Sequence, residues 1–169
     1  MYFNILVKQL QRPIYTLSLR MTGDSEMAKD LTQDIFLKVY KNLASYNHQV
    51  KITTWIYTIA TNTCIDYLRK KKDVLLFDDQ KPTEMAQQIY DLPGQVLEKR
   101  ELRQHIYEKI DCLPEHYRIV VILKYINELS FEEIAIVLDQ PLSTVKTKLY
   151  RAKEMLRTHL TDIWIERGE

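Results

Sequence analysis

Hydrophobic positions near the end of the chain recur with the period of an α-helix. They are spaced at i, i+4, i+7 and i+11, at Val145, Leu149, Ala152 and Leu156. This stripe predicts a helix with one buried face, and Ser143 can cap its start. Upstream, Ser130 and Glu133 have the spacing of a capping box for a shorter helix that ends near Leu138. Residues 139–142 include a proline and connect the two, so the pattern predicts a helix-turn-helix.

The face opposite this stripe is polar and cationic. At 100° per residue, the positions farthest from the stripe are Thr147, Tyr150, Arg151 and Glu154, with Thr144, Lys146 and Lys148 on the shoulders. Arg and Lys can read guanine or hold phosphates, and Thr can do either. A basic face that is merely solvated is the alternative. The turn, the two caps and the placement of the charges favour a helix that enters the major groove of DNA.

Two helices are predicted near the start of the chain. The first runs through "YTLSLRM" and ends at Gly23, which suits the left-handed position after a helix. Asp24 or Ser25 can cap the second, at about 25–43. Its core stripe is formed by Ala28, Leu31, Ile35, Val39 and Leu43. Leu37 projects from another side.

Polar residues surround Leu37 at helical spacing. They are Asp30, Gln33, Asp34 and Lys41. A leucine in an acidic and amide surround is typical of a docking patch for a partner helix with basic residues. A single exposed leucine is also common on protein surfaces, and spacing alone does not separate these two interpretations.

A third, long helix is predicted after a polar loop. Thr53 or Thr54 can cap it, and it reaches about Lys72. One packing seam consists of Ile56, Ala60, Thr63 and Tyr67, and a second, mixed stripe of Trp55, Ile59, Asn62, Asp66 and Arg69. Aromatic and polar groups beside a basic end can stack and hold single-stranded nucleic acid. For Trp55 itself, we favour a place in the core.

Helical periodicity is lost after this helix, where Pro82, Pro93 and several acids occur, and this composition predicts a flexible linker. Farther on, Pro114 suits the first turn of a helix that reaches about Ile126. The sequence thus divides into a helical domain at 1–72, a linker at 73–94 and a helix-turn-helix domain at 95–169. The predicted fold class is all-α, with two small helical domains.

Composition agrees with this class and narrows the function. The 169 residues include only three glycines and five prolines, and 46% are hydrophobic, as in a soluble helical protein. No apolar run approaches the roughly 20 residues of a membrane span, and the start does not read as a signal peptide, so we predict a cytoplasmic protein without membrane insertion. Cys64 and Cys112 are the only thiols and lack metal-ligand spacing. We expect neither a metal nor a cofactor.

Charge is distributed unevenly, although its net value is only +1. Residues 69–72 are four consecutive cations, and residues 143–157 carry five cations against one acid. Between them, residues 73–98 carry six acids against one lysine. Two basic segments therefore flank an acidic middle, which favours a polyanionic partner at both ends.

Three segments together resemble one protein family. They are "MTGDSEMAKDLTQDIFLKVYKNL", "TTWIYTIATNTCIDYLRKKK" and "LPEHYRIVVILKYINELSFEEIAIVLDQPLSTVKTKLYRAKEML". In this order they resemble the extracytoplasmic-function (ECF) sigma factors of the bacterial sigma-70 family. The resemblance implies a region 2 domain, a flexible linker and a region 4 helix-turn-helix domain, which together direct core RNA polymerase to promoters.

The resemblance also implies roles for residues. Polymerase binding through the clamp coiled coil of the β′ subunit would involve Asp30, Gln33, Asp34, Leu37 and Lys41. The minus-10 element, with a flipped non-template base, would be bound by Tyr46, Asn47, His48, Lys51, Asn62, Arg69 and Lys70. The minus-35 element would be bound by Thr144, Lys146, Thr147, Lys148, Tyr150 and Arg151. The region 4 domain would also contact the β flap, and an anti-sigma factor would mask both domains.

Two features depart from the family pattern. Members usually begin with an extra helix before the segment that corresponds to Tyr2 onward. The loop "SYNHQVKITTW" also lacks the aromatic residue or Arg often found just before "TW", which leaves its base preference open.

An enzyme is not predicted, because the sequence has no glycine-rich phosphate loop and its four histidines are scattered. The alternative function is a stand-alone helix-turn-helix transcription regulator, whose first domain would sense a signal or form a dimer. Such a regulator would bind DNA tightly by itself. A third possibility is a protein that occupies RNA polymerase without opening promoters.

Overall fold

The computed structural model describes residues 2–77 and 97–167. Every regular element in these two ranges is a helix: α1 (Tyr2–Thr22), α2 (Ser25–Asn42), α3 (Ile52–Phe77), α4 (Leu97–Asp111), α5 (Glu115–Val121), α6 (Phe131–Leu138) and α7 (Leu142–Arg167). A short 3-10 turn, Leu43–Ser45, follows α2, and a π-helical turn, Ile122–Ile126, follows α5. The predicted all-α class is confirmed. We call residues 2–77 the N-terminal half and residues 97–167 the C-terminal half.

In the N-terminal half, α1, α2 and α3 pack against one another. The junction between α1 and α2 is set by two residues. Gly23 has φ 69°, which glycine adopts without strain, and its N–H donates to the carbonyl of Leu19 at 2.8 Å. The Asp24 carboxylate then accepts hydrogen bonds from the first free N–H groups of α2. Both predictions for this junction are confirmed, with Asp24 rather than Ser25 as the cap.

In the C-terminal half, α5, α6 and α7 form the helix-turn-helix unit, and α4 packs on α5 and α7. The predicted capping box is present: Ser130 Oγ accepts from the Glu133 N–H at 3.1 Å, and Glu133 accepts from the Ser130 N–H at 2.8 Å. Asp139 ends α6 in the left-handed conformation, with φ 50°. The predicted stripe of α7 faces inward, since Val145, Leu149 and Ala152 are buried.

The two halves pack directly on each other. Their buried apolar side chains form one continuous cluster that includes α1, α2 and α3 together with α4 to α7. The largest contact between the halves joins α3 to α6, and α1 touches α4, α5 and the π-helical turn. On α3 and α6, Ile56 and Ile134 are fully buried, and each such side chain contributes about 1.5–3 kcal/mol to folding. The sequence predicted two domains but no contact between them.

Two helices begin earlier than the caps predicted from sequence. α3 begins at Ile52, and the Trp55 N–H donates to the carbonyl of Lys51 at 3.1 Å. Thr53 and Thr54 therefore lie within its first turn, and the prediction that either one caps α3 is wrong. α7 begins at Leu142, so Ser143 also lies inside the first turn. The predicted Ser143 cap is likewise wrong.

The long helix α3 also ends later than predicted. It continues past Lys72 to Phe77, because the residues after Lys72 include two leucines with high helix propensity and no glycine or proline. The segment expected to begin the linker at Asp73 is therefore helical for its first five residues. The remainder of the predicted linker, from residue 78 to residue 94, lies outside the described residues. The two-domain boundaries themselves stay a prediction.

Candidate nucleic-acid interface

The outer face of α7 is open to solvent. Thr147, Tyr150 and Arg151 are all exposed, and Tyr150 retains 66% of its accessible surface. The buried stripe on the other side fixes the rotation of α7, so these three side chains point away from the protein. A helix with a hydroxyl, an aromatic ring and a guanidinium on its free face has the groups required for a major-groove contact.

The two lysines on the shoulders of α7 lean toward α6. Lys148 Nζ donates to the side-chain carbonyl of Gln140 at 2.9 Å, which ties the helix to the preceding turn. Lys146 Nζ lies 5.7 Å from the centre of the Phe131 ring. Both lysines lie beside the outer face. Their positions depend on the turn as well as on the helix.

An open cavity adjoins the start of α7. Its volume is about 320 Å³, and it is lined by His116, Tyr117, Ser143, Thr144, Thr147, Lys148 and Arg151. The rings of His116 and Tyr117 lie 4.1 Å apart. Sequence analysis missed these two residues of α5, because only the packing of α5 against α7 brings them beside the outer face. Hydroxyl and cationic groups in the lining suit a DNA phosphate.

The loop before α3 is held in one conformation by its own side chains. The Tyr46 ring lies 4.5 Å from the His48 ring and 5.3 Å from that of Trp55, and its hydroxyl donates to the carbonyl of Val50. His48 has φ 60°, which is costly for this residue type unless its surroundings hold it. Asn47 accepts from the backbone N–H of Gln49 at 3.2 Å. Asn47, His48 and Lys51 are all exposed to solvent.

Glu133 of the C-terminal half reaches this loop. Its carboxylate lies 3.1 Å from Lys51 Nζ and accepts a hydrogen bond from the Thr54 hydroxyl at 3.4 Å. The hydrogen bond from the Ser130 backbone lowers the pKa of Glu133, and Lys51 lowers it further. Glu133 therefore caps α6 and binds the loop while it is ionised. The sequence identified the cap and gave no signal for the contact across the halves.

Along α3, Asn62, Arg69 and Lys70 are exposed. Arg69 is paired with Asp66 at 3.0 Å, whereas Lys70 belongs to the run of four cations at residues 69–72. Trp55 is half-buried and packs against the core, which confirms its predicted place there. The mixed stripe is thus apolar near its start and polar from Asn62 onward.

The patch on α2 is exposed as predicted. Leu37 retains 58% of its accessible surface, and Asp30, Gln33 and Lys41 are exposed around it. One carboxylate oxygen of Asp34 forms an ion pair with Lys38 at 2.9 Å. One apolar neighbour was missed: Tyr40 retains 65% of its surface. Its position three residues after Leu37 is a signal that could have identified it.

Tyr40 also connects this patch to α1. Its ring makes an edge contact with Phe3, with ring centres 5.3 Å apart. We call Leu37 and Tyr40 with their polar neighbours the α2 patch. It is a mixed apolar and acidic surface of the kind that can bind one helix of a partner.

Within residues 2–77 and 97–167, no group of three or more His, Cys, Asp or Glu side chains is placed to hold a metal ion. None of the helices described is long and apolar enough to cross a membrane.

A helical N-terminal half with an exposed patch, joined to a helix-turn-helix with a basic outer face, defines a class of DNA-binding transcription protein. Two sequence families match the chain: "Sigma-70 region 2" over residues 6–74 and "Sigma-70, region 4" over residues 103–156. The chain belongs to the ECF RNA polymerase sigma factors of the sigma-70 family, and it is therefore a transcription initiation factor.

Relatives of this chain match it over both halves. The ECF RNA polymerase sigma factor SigW of Bacillus subtilis (strain 168) is 41% identical over 157 residues, which cover 89% of this chain and 84% of that protein. The ECF RNA polymerase sigma-E factor of Escherichia coli (strain K12) is 30% identical over 162 residues, covering 91% and 84%. Sequence identities of 41% and 30% over both halves support the assignment of the chain to this family.

Solved structures share the fold. The sigma factor RpoE of Bartonella quintana, determined in complex with the anti-sigma factor NepR, has a TM-score of 0.82 with 19% identity and covers 94% of this chain and 96% of that one. The structure of CnrH in complex with the cytosolic domain of CnrY has a TM-score of 0.69 with 18% identity, covering 95% and 88%. The part of the chain that the structure describes therefore has the fold of a sigma factor.

Proposed function

We propose that this sigma factor binds core RNA polymerase through the α2 patch and reads the two promoter elements with separate surfaces. The loop before α3, together with the outer side of α3, binds the minus-10 element. The outer face of α7 binds the minus-35 element. The observation that carries this proposal is the exposure of the α2 patch and of the outer face of α7 on different halves of one chain.

At the polymerase, Leu37 and Tyr40 supply the apolar contact. Asp30 and Gln33 supply an anionic and a hydrogen-bonding group beside it, and Lys41 lies at the edge. This arrangement suits a helix of the β′ clamp coiled coil that presents basic side chains around an apolar centre. The C-terminal half makes the second contact, at the β flap.

At the minus-10 element, the loop offers a preformed surface. The contacts of Tyr46 with His48 and Trp55 hold the loop before DNA arrives, which reduces the ordering cost of binding. A base flipped from the duplex would pair with polar atoms of Asn47 or Asn62. Lys51, Arg69 and Lys70 hold the neighbouring phosphates.

At the minus-35 element, Tyr150 and Arg151 face the base edges, and Thr147 lines the cavity together with Arg151. Lys146, Lys148 and the hydroxyl of Thr144 hold the backbone of the duplex. His116 and Tyr117 complete this surface from α5, since they line the same cavity as Thr144 and Arg151.

The chain itself performs no catalysis in this proposal, because RNA synthesis belongs to the polymerase. It acts in the cytoplasm. Control by an anti-sigma factor is supported by the solved relatives, which were determined as complexes with NepR and with the cytosolic domain of CnrY. The exposed α2 patch provides an apolar surface that such an inhibitor can cover.

Transcription in a purified system tests the proposal. Core RNA polymerase and this protein are combined with a library of promoter fragments from the genome that encodes the chain. We expect transcripts from a defined promoter set, and we expect Leu37→Arg and Arg151→Ala each to abolish most of them. Val74→Arg is the matched control for the first substitution, because Val74 is also exposed and apolar but lies on α3.

The alternative regulator gives a different result. A stand-alone regulator binds a specific DNA sequence tightly without polymerase and yields no transcripts with the core enzyme alone. Protein that binds core polymerase and yields no transcript from any fragment would instead support a polymerase-occupying protein. Either result would contradict the proposed initiation function.

A further inference from the structure

Gln140 lies in the turn between α6 and α7, and its backbone is held from both sides. Its N–H donates to the carbonyl of Ala135 at 3.0 Å, which closes the end of α6 after the left-handed Asp139. Pro141 follows with a φ angle fixed by its ring, and its carbonyl accepts from the Val145 N–H at 3.1 Å. The position of Gln140 is therefore set by both helices of the helix-turn-helix.

The side chain of Gln140 reaches back to α7. Its carbonyl oxygen accepts a hydrogen bond from Lys148 Nζ at 2.9 Å. An ammonium group has donors only, so the atom of the Gln140 amide that faces it is the oxygen. Both residues are half-buried, which partly shields the contact from water. The two residues lie eight positions apart on either side of a turn, so no helical spacing indicates the pair.

This contact places the Lys148 ammonium at the wall of the cavity beside α7. Lys148 lines that cavity together with His116, Tyr117 and Arg151. An ammonium is a compact point charge without the paired donors of a guanidinium, so it suits a phosphate better than a base edge. Because Gln140 holds Lys148 before DNA arrives, the side chain loses little further freedom when DNA binds.

Lys146, on the other shoulder of α7, is held less firmly. Its Nζ lies 5.7 Å from the centre of the Phe131 ring, and the residue is exposed. The face of a ring attracts a cation without a single acceptor atom, whereas the oxygen of Gln140 fixes both distance and direction for Lys148. The two shoulders of α7 thus differ, and only the Lys148 side presents a cation fixed by the turn.

We propose that Gln140 is a positioning residue for promoter binding: it holds the Lys148 ammonium at the cavity, where this ammonium binds a phosphate at the edge of the minus-35 element. Gln140 acts through Lys148 and not by its own contact with DNA. The held lysine fixes the register of α7 on the duplex and leaves base reading to the outer face. This inference rests on the proposed function, because it adds a residue to the same minus-35 surface.

The first experiment removes the acceptor and keeps the shape of the side chain. Gln140→Met retains an unbranched side chain of similar volume, so thermal stability should hardly change. Binding of the holoenzyme to a promoter fragment that it transcribes should weaken about three- to ten-fold, because Lys148 must then be ordered on binding. Gln11→Met, at an exposed glutamine on α1, is the matched control and should bind like wild type. Equal affinities of Gln140→Met and wild type would overturn the proposal.

The salt dependence of binding separates positioning from direct contact. Each phosphate contact contributes about 0.9 to the slope of log affinity against log salt concentration. Lys148→Met should therefore lower the magnitude of this slope by about 0.9, whereas Gln140→Met keeps the cation and should retain the slope of wild type. A slope lowered equally in the two variants would mean that Gln140 itself binds a phosphate, and would contradict the proposal.

A charged substitution tests whether the contact serves DNA or only the turn. Gln140→Glu keeps an acceptor for Lys148 but adds a negative charge beside the phosphate. We expect it to weaken holoenzyme binding more than Gln140→Met does, because the carboxylate neutralises Lys148 and repels the phosphate. A purely structural role predicts the opposite order, since glutamate preserves the link between the turn and α7. Binding of Gln140→Glu at the level of wild type would therefore refute the proposal.

A double-mutant cycle completes the test. In a Lys148→Met background, Gln140→Met should change the affinity by less than about two-fold, because Gln140 then has no cation to position. A full second loss would show that Gln140 supports the turn and would overturn the proposal. If Arg151→Ala and Lys148→Met both leave binding to every minus-35 fragment unchanged, the proposed function itself fails. If these two variants weaken binding and Gln140→Met does not, only the present inference fails.

Discussion

The guanidinium of Arg20 on α1 lies 2.8 Å from the carboxylate of Asp111 on α4, and both side chains are almost withdrawn from solvent. Ninety-one positions separate these residues in the chain. Burial raises the pKa of Asp111 to about 6, although Arg20 and Arg118 act in the opposite direction and Glu108 acts with burial. The ion pair joins the halves and carries a cost of desolvation.

Because burial raises the pKa of Asp111, the free energy of unfolding depends on pH. An unfolded aspartate has a pKa of about 3.9. As the pH rises from about 4 to 6, the unfolded chain loses the Asp111 proton before the folded chain does. The contribution of Asp111 to the free energy of unfolding therefore falls over this range, and it stays constant above about pH 6. Asp111→Asn cannot titrate. We expect wild type to lose up to about 3 kcal/mol relative to this variant between pH 4 and pH 7.

The measurement is urea denaturation of both proteins across this pH range. Because other groups titrate equally in the two proteins, the difference between their free energies of unfolding isolates Asp111. Parallel curves would show that the pKa of Asp111 is not raised in the folded chain.

Ser130 and Ser143 were both predicted from the sequence to cap helices. Ser130 caps α6, whereas Ser143 lies within the first turn of α7. Ser130→Ala should lower the free energy of unfolding by about 1 kcal/mol, because an N–H of α6 loses its acceptor. Ser143→Ala should change it by less than about 0.5 kcal/mol. Denaturant titration of the two matched variants makes the comparison, and equal losses would mean that Ser143 also acts as a cap.

The α2 patch predicts the effect of one charge on polymerase affinity. Leu37→Arg places a cation at the apolar centre of the patch, and we expect binding to core polymerase to weaken about ten- to hundred-fold, as for a central interface residue. Thermal stability should hardly change, because Leu37 is exposed. Fluorescence titration with core polymerase gives the affinity.

The control for this prediction is Val74→Arg, which adds the same charge at an equally exposed apolar position. It should bind core polymerase within about two-fold of wild type, since single exposed residues outside an interface contribute little. Equal losses in the two variants would indicate a general effect of charge and would remove the α2 patch as the docking surface.

The outer face of α7 predicts sequence-dependent effects on DNA. Arg151→Ala should weaken binding of the holoenzyme to its minus-35 element by about 1–3 kcal/mol and relax the preference at one base pair. Arg157→Ala is the control on the same helix, where Arg157 pairs with Glu154 at 2.9 Å and lies six positions farther along α7. Binding to fragments with each minus-35 base changed, at several salt concentrations, tests both variants. A uniform loss across all fragments would assign Arg151 to a phosphate instead.

Features set by neighbouring residues were predictable from the sequence. The glycine after α1, the Asp24 cap, the capping box of α6 and the buried stripe of α7 all follow from spacings of at most a few turns. Errors occurred where the backbone itself satisfied the helix start. α3 and α7 each begin one or two residues before the hydroxyl predicted to cap them, because carbonyls of Lys51 and Pro141 accept the first helical bonds.

The candidate surfaces were predictable in part. Exposure of Leu37 and of the outer face of α7 follows from helical rotation once the buried stripe is known. Tyr40 could have been added by the same rule. His116 and Tyr117 could not, because they reach the cavity from another helix. The assignment of individual residues to promoter elements stays a prediction.

The sequence by itself determined the all-helical class, the helix-turn-helix, the family and the sides of each helix that face outward, because these depend on periodicity and on local hydrogen bonding. Only the tertiary structure decided that the halves share one core and that Glu133 binds Lys51 and Thr54. Contacts between residues about 80 positions apart have no period in the sequence. They exist because burying apolar surface brings distant helices together, and polar groups that meet at the new boundary must then find partners there.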